Sequence, residues 1–304
     1  MEEPYDLAPD DRADVSVRKI LRSLFVTLRS NANGVAEDAN TKCLHDLRVA
    51  NRRTRSALSQ IKGVLPVSVI EYFQPEFKWL GNVTGPCRDL DVFLNTLDGS
   101  RVESGDLGDL RDFLSEKRQR EHILVCAALR TEKFQRLVDD WGRFLETAAD
   151  EEIRPPLASS PIIEVAGSRI LKAYRRMWNR GTGIDIDPPA TLLHRLRIDG
   201  KKLRYLLEFF IELYSMTTVS RFIGELEMLQ DILGDLNDTG VQLALISEFK
   251  NQGIVSPEEF AASSFLAEMI TQRRCELRVE FAEHSELFIS EESRKLYERT
   301  FDAG

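Results

Sequence analysis

A histidine-led row of cations occurs twice in this chain, as His45-Asp-Leu-Arg48-Val-Ala-Asn-Arg52-Arg53-Thr-Arg55 and as His194-Arg-Leu-Arg197-Ile-Asp-Gly-Lys201-Lys202-Leu-Arg204. The shared pattern is H-x-L-R-[VI]-x-x-[RK]-[RK]-x-R, and the copies lie 149 residues apart (194 − 45). Leu80-Gly-Asn-Val-Thr-Gly85-Pro-Cys-Arg88-Asp89-Leu-Asp91-Val92 matches Leu229-Gln-Asp-Ile-Leu-Gly234-Asp-Leu-Asn237-Asp238-Thr-Gly-Val241 at the same offset. Upstream, Lys19-Ile-Leu-Arg22 matches Arg169-Ile-Leu-Lys172 after one residue of slippage. Three matches in one order make the chain an internal duplication. The ends of the two halves align poorly, with Lys117-Arg118 and Arg273-Arg274 as the candidate match there.

Periodicity is helical almost throughout, and prolines and glycines cluster between periodic segments. Helices are expected near 13–30, 42–64, 68–97, 107–147, 162–179, 190–215, 218–250 and 256–300, the longer of them breaking in two. The first repeat then spans about 13–147 and the second about 162–300, within a single domain 13–300 preceded by an acidic tail, 1–12. The stretch 151–161 is the expected joint. Loops 31–41 and 180–189 hold equivalent places, each ending in a candidate N-cap, Thr41 or Thr191.

On a helix advancing about 100° per residue, Arg48, Arg52 and Arg55 fall within about 80° of His45. Leu47, Thr54, Leu58, Ile61 and Leu65 gather on the opposite side, about 160–220° away. In the second copy Arg197, Lys201 and Arg204 accompany His194, opposite Leu196, Leu203, Leu207 and Phe210. Each helix therefore has one core face and one cationic face. Like charges at these spacings repel by roughly 0.2–0.5 kcal/mol per pair, and the stripe itself contains no acidic residue on that face. Arginine's planar fork can hold phosphate oxygens bidentately at any relevant pH. Cations about 5–6 Å apart along a helix suit an extended, repetitive polyanion better than a compact nucleotide.

Formal net charge over the 304 residues is −9, which argues against a general nucleic-acid-coating protein and confines the basic character to a site. Cys43, Cys87, Cys126 and Cys275 show neither CxxC spacing nor clustering, so reduced thiols in a cytoplasmic protein are expected, with no structural metal. The acidic start has no apolar stretch, so no signal peptide is expected, and no segment approaches the ~20 apolar residues of a membrane span. The histidines head cationic rows with no second metal ligand one turn on, which favours hydrogen bonding to phosphate over metal binding. His122 and His284 belong to no shared motif and are expected to pack or face solvent. Asp89 and Asp238 are expected to support the arginines, Asp91 having Gly240 as its counterpart. No phosphate-binding loop, dinucleotide fingerprint or kinase set is present, and no catalytic centre or cofactor is expected.

These motifs resemble the CHAD domain, the conserved-histidine α-helical domain, over about 13–300. The resemblance implies an all-α fold of two four-helix bundles related by a pseudo-twofold axis, with a basic central groove or pore. It implies binding of inorganic polyphosphate and association with polyphosphate granules. Residue by residue, it carries binding roles to His45, Arg48, Arg52, Arg53 and Arg55, and to His194, Arg197, Lys201, Lys202 and Arg204. Lys19, Arg22, Arg169 and Lys172 fit the basic first helix of each half, and Arg88 the turn segment, where Asn237 replaces it in the second copy. Many relatives carry a CYTH triphosphatase module; this chain is expected to stand without one, and to be no enzyme. Two other classes fit the pattern less well. Histidine phosphotransfer modules need small residues where Val49, Arg52 and Arg53 stand. RNA binding needs exposed aromatics, and the stripes offer only Tyr205, opposite Ser56 in the first copy.

Overall fold

A computed structural model describes residues 4–37, 41–99, 107–147, 155–182, 188–252 and 255–302. The first half forms α1 (Ala13–Ala36), α2 (Thr41–Gln60), α3 (Val67–Gly99), α4 (Gly108–Leu129) and α5 (Glu132–Glu146). The second forms α6 (Ile162–Gly181), α7 (Ala190–Phe209), α8 (Met216–Lys250), α9 (Pro257–Phe288) and α10 (Glu291–Phe301), with a 3-10 turn at Ile211–Leu213. The fold is all-α. Among the described residues the only extended pairing is an isolated bridge between Arg12 and Pro161. The first four helices of each half begin at equivalent positions, 13 and 162, 41 and 190, 67 and 216, 108 and 257, all at the offset of the repeat.

The fourth expected span of each half is two helices, so each half contributes five. Span 107–147 breaks before Thr131, whose hydroxyl accepts from the Phe134 N–H at 3.3 Å. Span 256–300 breaks before Ser290, which caps α10 through the Ser293 N–H at 3.1 Å. Helix α9 has 32 residues and α4 only 22, which explains why the ends of the halves do not align. The equivalence nonetheless persists in packing. Trp141 of α5 lies edge-on to Phe73 at 4.6 Å, and Tyr297 of α10 stacks at 4.0 Å on Phe222, the counterpart of Phe73. Thr41 and Thr191 are not caps: Thr41 starts α2, and Thr191 lies within the first turn of α7 behind Pro189. Residues 38–40, 183–187 and 151–154 of the expected loops and joint, and 1–3 of the tail, lie outside the described residues.

The starts of α1 and α6 complete each other. The first N–H groups of a helix have no partner within it. Those of Ala13 and Asp14 donate to Ser160 and Ala158 (2.9 and 3.0 Å), and those of Ile162 and Ile163 donate to Asp11 and Pro9 (2.9 and 3.2 Å). The described part of the acidic tail is therefore docked. Leu7 is buried, and its N–H and that of Tyr5 both donate to Glu212.

Across the halves α1 packs on α6, α2 on α7, α3 on α8 and α4 on α9, the self-pairing that a twofold relation requires. Two apolar clusters result. The larger joins α1, α2, α5, α6, α7 and α10 with the first parts of α3 and α8 and the last parts of α4 and α9, around residues such as Ile20, Leu47, Phe77, Leu203 and Tyr297. The smaller joins the far ends of α3 and α8 with α4 and α9 around Phe93, Leu110, Ile246 and Leu266. Helices α3 and α8 run from one cluster to the other, and their middle segments, Arg88 to Asp91 and Asn237 to Gln242, are polar.

One pair of contacts shows how the copies keep this geometry with different residues. Asn51 of α2 lies against Gly81 of α3, where a Cβ would come within 3.1 Å of its amide nitrogen. In the second half the small residue is on the other helix, with Gly200 of α7 facing the buried Gln230 of α8. Gly81→Gln should therefore destabilise by about 1–3 kcal/mol through overpacking. Asn51→Gly in the same chain should recover part of the loss, and a denaturation cycle should give a coupling of about 0.5–3 kcal/mol. Strict additivity would show that the two positions do not share one space.

Candidate anion-binding site

Helices α2 and α7 bring the two cationic rows together at their mutual contact, beside the polar middle of α3 and α8. Arg52 is at the centre. Its charge opposes the positive charge of His45 and Arg48 in its own half and of Arg197 and Lys201 in the other. Among the described residues Arg52, Arg88, Arg197 and Lys201 have no ion-pair partner within 4 Å. The Nε atoms of Arg52 and Arg197 are buried without a hydrogen-bond acceptor. Beneath them lies Tyr205, only 2% exposed, with the guanidiniums of Arg52, Arg53 and Arg204 at 5.7, 5.9 and 5.7 Å from its ring. This aromatic supports the arginines and offers no open face for a stacking base.

The electrostatics follow from this crowding. Burial, with the charges of Arg52, Arg197 and Arg204 added, pulls the Lys201 amine down to about 6. His45 is lowered first by desolvation and then by Arg88, the surrounding arginines opposing its protonation as their placement would suggest. Arg48 and Arg197 are lowered by burial, with Asp89 and Asp238 respectively pushing back. Desolvation raises the Asp89 carboxyl, Arg48 opposes that, and Asp238 adds to it. These two carboxylates lie within electrostatic reach of the arginines but form no ion pair with them; Asp238 instead accepts from the Asn237 amide at 3.1 Å. Removing water strengthens every such interaction, and an anion entering here meets cations already desolvated.

The halves differ in how they hold the equivalent arginine. Arg48 donates to the Gly81 carbonyl (3.0 Å) and to the Thr84 hydroxyl (2.9 Å). At the counterpart of Thr84 stands Leu233, and Arg197 has no such bonds. Asp91 is buried in the first half and pairs with Arg118 at 3.1 Å. Its counterpart Gly240 has no carboxylate, and Nη1 of Arg274 lies 3.6 Å from where a Cβ would stand. A cavity of about 430 Å³ opens there, lined by His194, Arg195, Arg197, Asn237, Arg274 and Arg278. The duplicated motifs do not single out Arg195, Arg274 or Arg278 as site residues. The signal that points to them is Gly240 opposite Asp91, read together with the arginines of the Arg273-Arg274 segment.

Several sequence-derived candidates are engaged elsewhere. Arg53 is buried, with its guanidinium 3.5 Å from Glu208 and 3.2 Å from the Tyr5 hydroxyl, and it serves packing. The row is not free of acidic partners, since Arg204 pairs with Glu208 at 3.1 Å and Glu227 at 3.3 Å. Lys202 faces Asp199, Arg176, Arg180 and Lys62 on another side of α7. Arg55 packs over Gly81 at the α2–α3 contact. Lys19 holds Asp6 and Asp11 of the N-terminal segment, Arg22 donates to the Leu145 carbonyl ending α5, and Arg169 donates to the Lys62 carbonyl after α2. Lys172 borders a separate cavity between α6 and the end of α10. His122 is buried, its Nε2 3.2 Å from the Val35 carbonyl, and His284 meets the Glu280 carbonyl. Among the described residues no three His, Cys, Asp or Glu side chains gather as a metal set, and no helix is long and apolar enough to cross a membrane.

Comparison with known proteins agrees with this architecture. The CHAD domain family model matches residues 19–247. The crystal structure of the CHAD domain from the plant Ricinus communis superposes with a TM-score of 0.74 at 26% identity, over 92% of this chain and 93% of that one. PptA from Streptomyces chartreusis shares the fold, with a TM-score of 0.71 at 15% identity over 90% and 99% of the two chains. An uncharacterized protein of Mycobacterium tuberculosis (strain CDC 1551 / Oshkosh) is 26% identical over 212 residues. That alignment covers 65% of this chain but only 38% of the relative's length.

Lys201 yields a stability prediction with a definite sign. An unfolded lysine titrates near 10.4, whereas the folded one titrates at about 6. Between these values the unfolded chain binds the extra proton, so this group costs the free protein stability as pH falls. Lys201→Met should therefore stabilise the ligand-free protein by about 1–2 kcal/mol at neutral pH. The gain should grow as pH falls from about 10 to about 6 and level off below that. A stability difference that is flat across this range, in denaturant titrations, would show that Lys201 keeps its charge.

Proposed function

Because the chain belongs to the CHAD domain family, we propose that its α2–α7 site binds inorganic polyphosphate without turning it over, in the cytoplasm and at polyphosphate granules. One observation carries the reading: Arg52, Arg197 and Lys201, contributed by both halves, crowd together without anionic partners among the described residues. A cluster of that kind is destabilised when empty and relieved by phosphate oxygens, which accept from arginine bidentately. Successive phosphates would be met by Arg52, Arg88, Arg197 and Lys201, with Arg48 already oriented by its bonds to α3. The buried Tyr205 favours this ligand over RNA, whose bases need a stacking surface.

The forces involved set the behaviour of binding. Neutralising phosphates releases their counterions, so log affinity should fall linearly with log salt concentration. Affinity should also rise with polymer length until the row of cations is spanned, because tethered contacts act at high effective concentration. A bound polyanion restores the proton to Lys201 and favours the charged form of His45. Binding thus takes up protons, and affinity should strengthen as pH falls from about 10 to about 6.

Length-graded polyphosphate titrated into wild type and into Arg52→Gln/Arg197→Gln tests the proposal. The double variant should fold, should bind at least about 100-fold more weakly, and should show a salt slope smaller by about 2. Tripolyphosphate competing as well as a long polymer would refute an extended site. RNA displacing the polymer at equal phosphate concentration would replace polyphosphate as the ligand. A pH-independent affinity would remove Lys201 and His45 from the binding step.

A further inference from the structure

The row of cations does not end alike in its two halves. Beyond Arg48 the first half is closed by its own ion pair, the buried Asp91 with Arg118. Beyond Arg197 the second half opens into the cavity over Gly240. Three exchanges between the copies make the difference. Leu233 replaces Thr84 and leaves Arg197 unheld, Gly240 replaces Asp91 and removes a carboxylate, and Arg195 replaces Asp46 and reverses a charge.

Arg274 completes the cavity. It stands seven residues, about two helical turns, beyond the position of α9 equivalent to Arg118, and so reaches the same place from further along the helix. Its guanidinium lies over Gly240, and it has no ion-pair or hydrogen-bond partner among the described residues. Arg278, one turn on, is anchored to the Pro188 carbonyl and lines the same wall. His194 lines the cavity together with Ala190 and Thr191 of the first turn of α7, and Leu193, Leu233 and Leu236 form its apolar part. This is a concave site lined by four arginines and a histidine, with a guanidinium over Gly240, unlike the row along α2 and α7.

Polyphosphate carries two kinds of phosphate. Internal units bear one negative charge each, whereas a terminal phosphate, titrating again near pH 6, bears about one and a half to two at neutral pH and presents three free oxygens. We propose that the Arg197–Arg274 cavity binds a terminal phosphate of the chain, so that polyphosphate is anchored here by one of its two equivalent ends and runs from it along the row of α2 and α7. The inference rests on the polyphosphate reading of the central site and adds end recognition to it.

The test compares polyphosphate of one defined length with its terminal phosphates free or capped as phosphoramidates, each titrated against wild type, Gly240→Asp and Arg274→Gln. Gly240→Asp restores the carboxylate that the first half uses to neutralise its arginine, and the new Cβ would stand 3.6 Å from Nη1 of Arg274, an ordinary contact distance. Wild type should prefer free ends by about tenfold, the equivalent of one charge-assisted hydrogen bond. In both variants the ratio of free-ended to capped affinity should fall towards one. Arg274→Gln alone decides the matter if Gly240→Asp fails to fold. A ratio near one in wild type, or a preference surviving Arg274→Gln, overturns end recognition while leaving polyphosphate binding intact. Failure of both forms of the polymer to bind wild type overturns the functional reading itself.

Discussion

Repulsion across the contact between α2 and α7 is the constraint around which the molecule is organised. Arg52 of one half faces Arg197 of the other, desolvation makes their mutual repulsion stronger than it would be in water, and burial with these charges holds the neighbouring Lys201 largely uncharged at neutral pH. Such a seam would open unless something else held it. The larger apolar cluster does so, with Leu47, Leu203 and Leu207 buried on the opposite faces of the same helices. Burying each such side chain contributes about 1.5–3 kcal/mol. Glu208 adds a link, since its carboxylate meets Arg53 of α2 as well as Arg204 of α7. The reciprocal capping of α1 and α6 fixes the halves at one end, and α4 against α9 fixes them at the other.

Duplication explains the economy of the arrangement, and divergence explains its polarity. Two copies of one helix pattern, packed counterpart against counterpart, place two cationic faces together without any segment evolving a binding loop. After duplication each copy became free to change where the other compensates. Asn51 with Gly81 and Gly200 with Gln230 preserve a helix contact by exchanging bulk between partners. Thr84 and Asp91 against Leu233 and Gly240 do the opposite for charge: one copy satisfies its arginines internally and the other leaves them exposed to a ligand. The site is symmetric in backbone and directional in chemistry.

Much of this was legible in the residues. The offset of the repeat places the starts of the first four helices in each half, because sequence periodicity and the limits of a helix turn are local properties. The opposed faces around His45 and His194 follow from helical geometry alone. The side of a helix on which a long cation ends is less legible. Arg53 and Lys202 occupy equivalent positions next to the main row, yet Arg53 is buried against Tyr5 and Glu208, and Lys202 turns to Asp199 and Arg176. Arg204 belongs to the row by spacing but meets Glu227 from α8, a residue distant in sequence. Lys19, Arg22 and Arg169 shared a motif and a charge, yet they cap chain segments that no periodicity connects to them.

The amino-acid sequence by itself determined an all-α duplication and two amphipathic helices with a cationic face, because repeat offset and the 3.6-residue period are written along the chain. Tertiary structure alone decided which cations converge. The charge state of Lys201 depends on Arg52 from the other half, the freedom of Arg197 on a leucine of α8, and the cavity on an arginine of α9 lying over Gly240. Electrostatic energy depends on distance and on the loss of water between groups, and both are set only when distant helices pack.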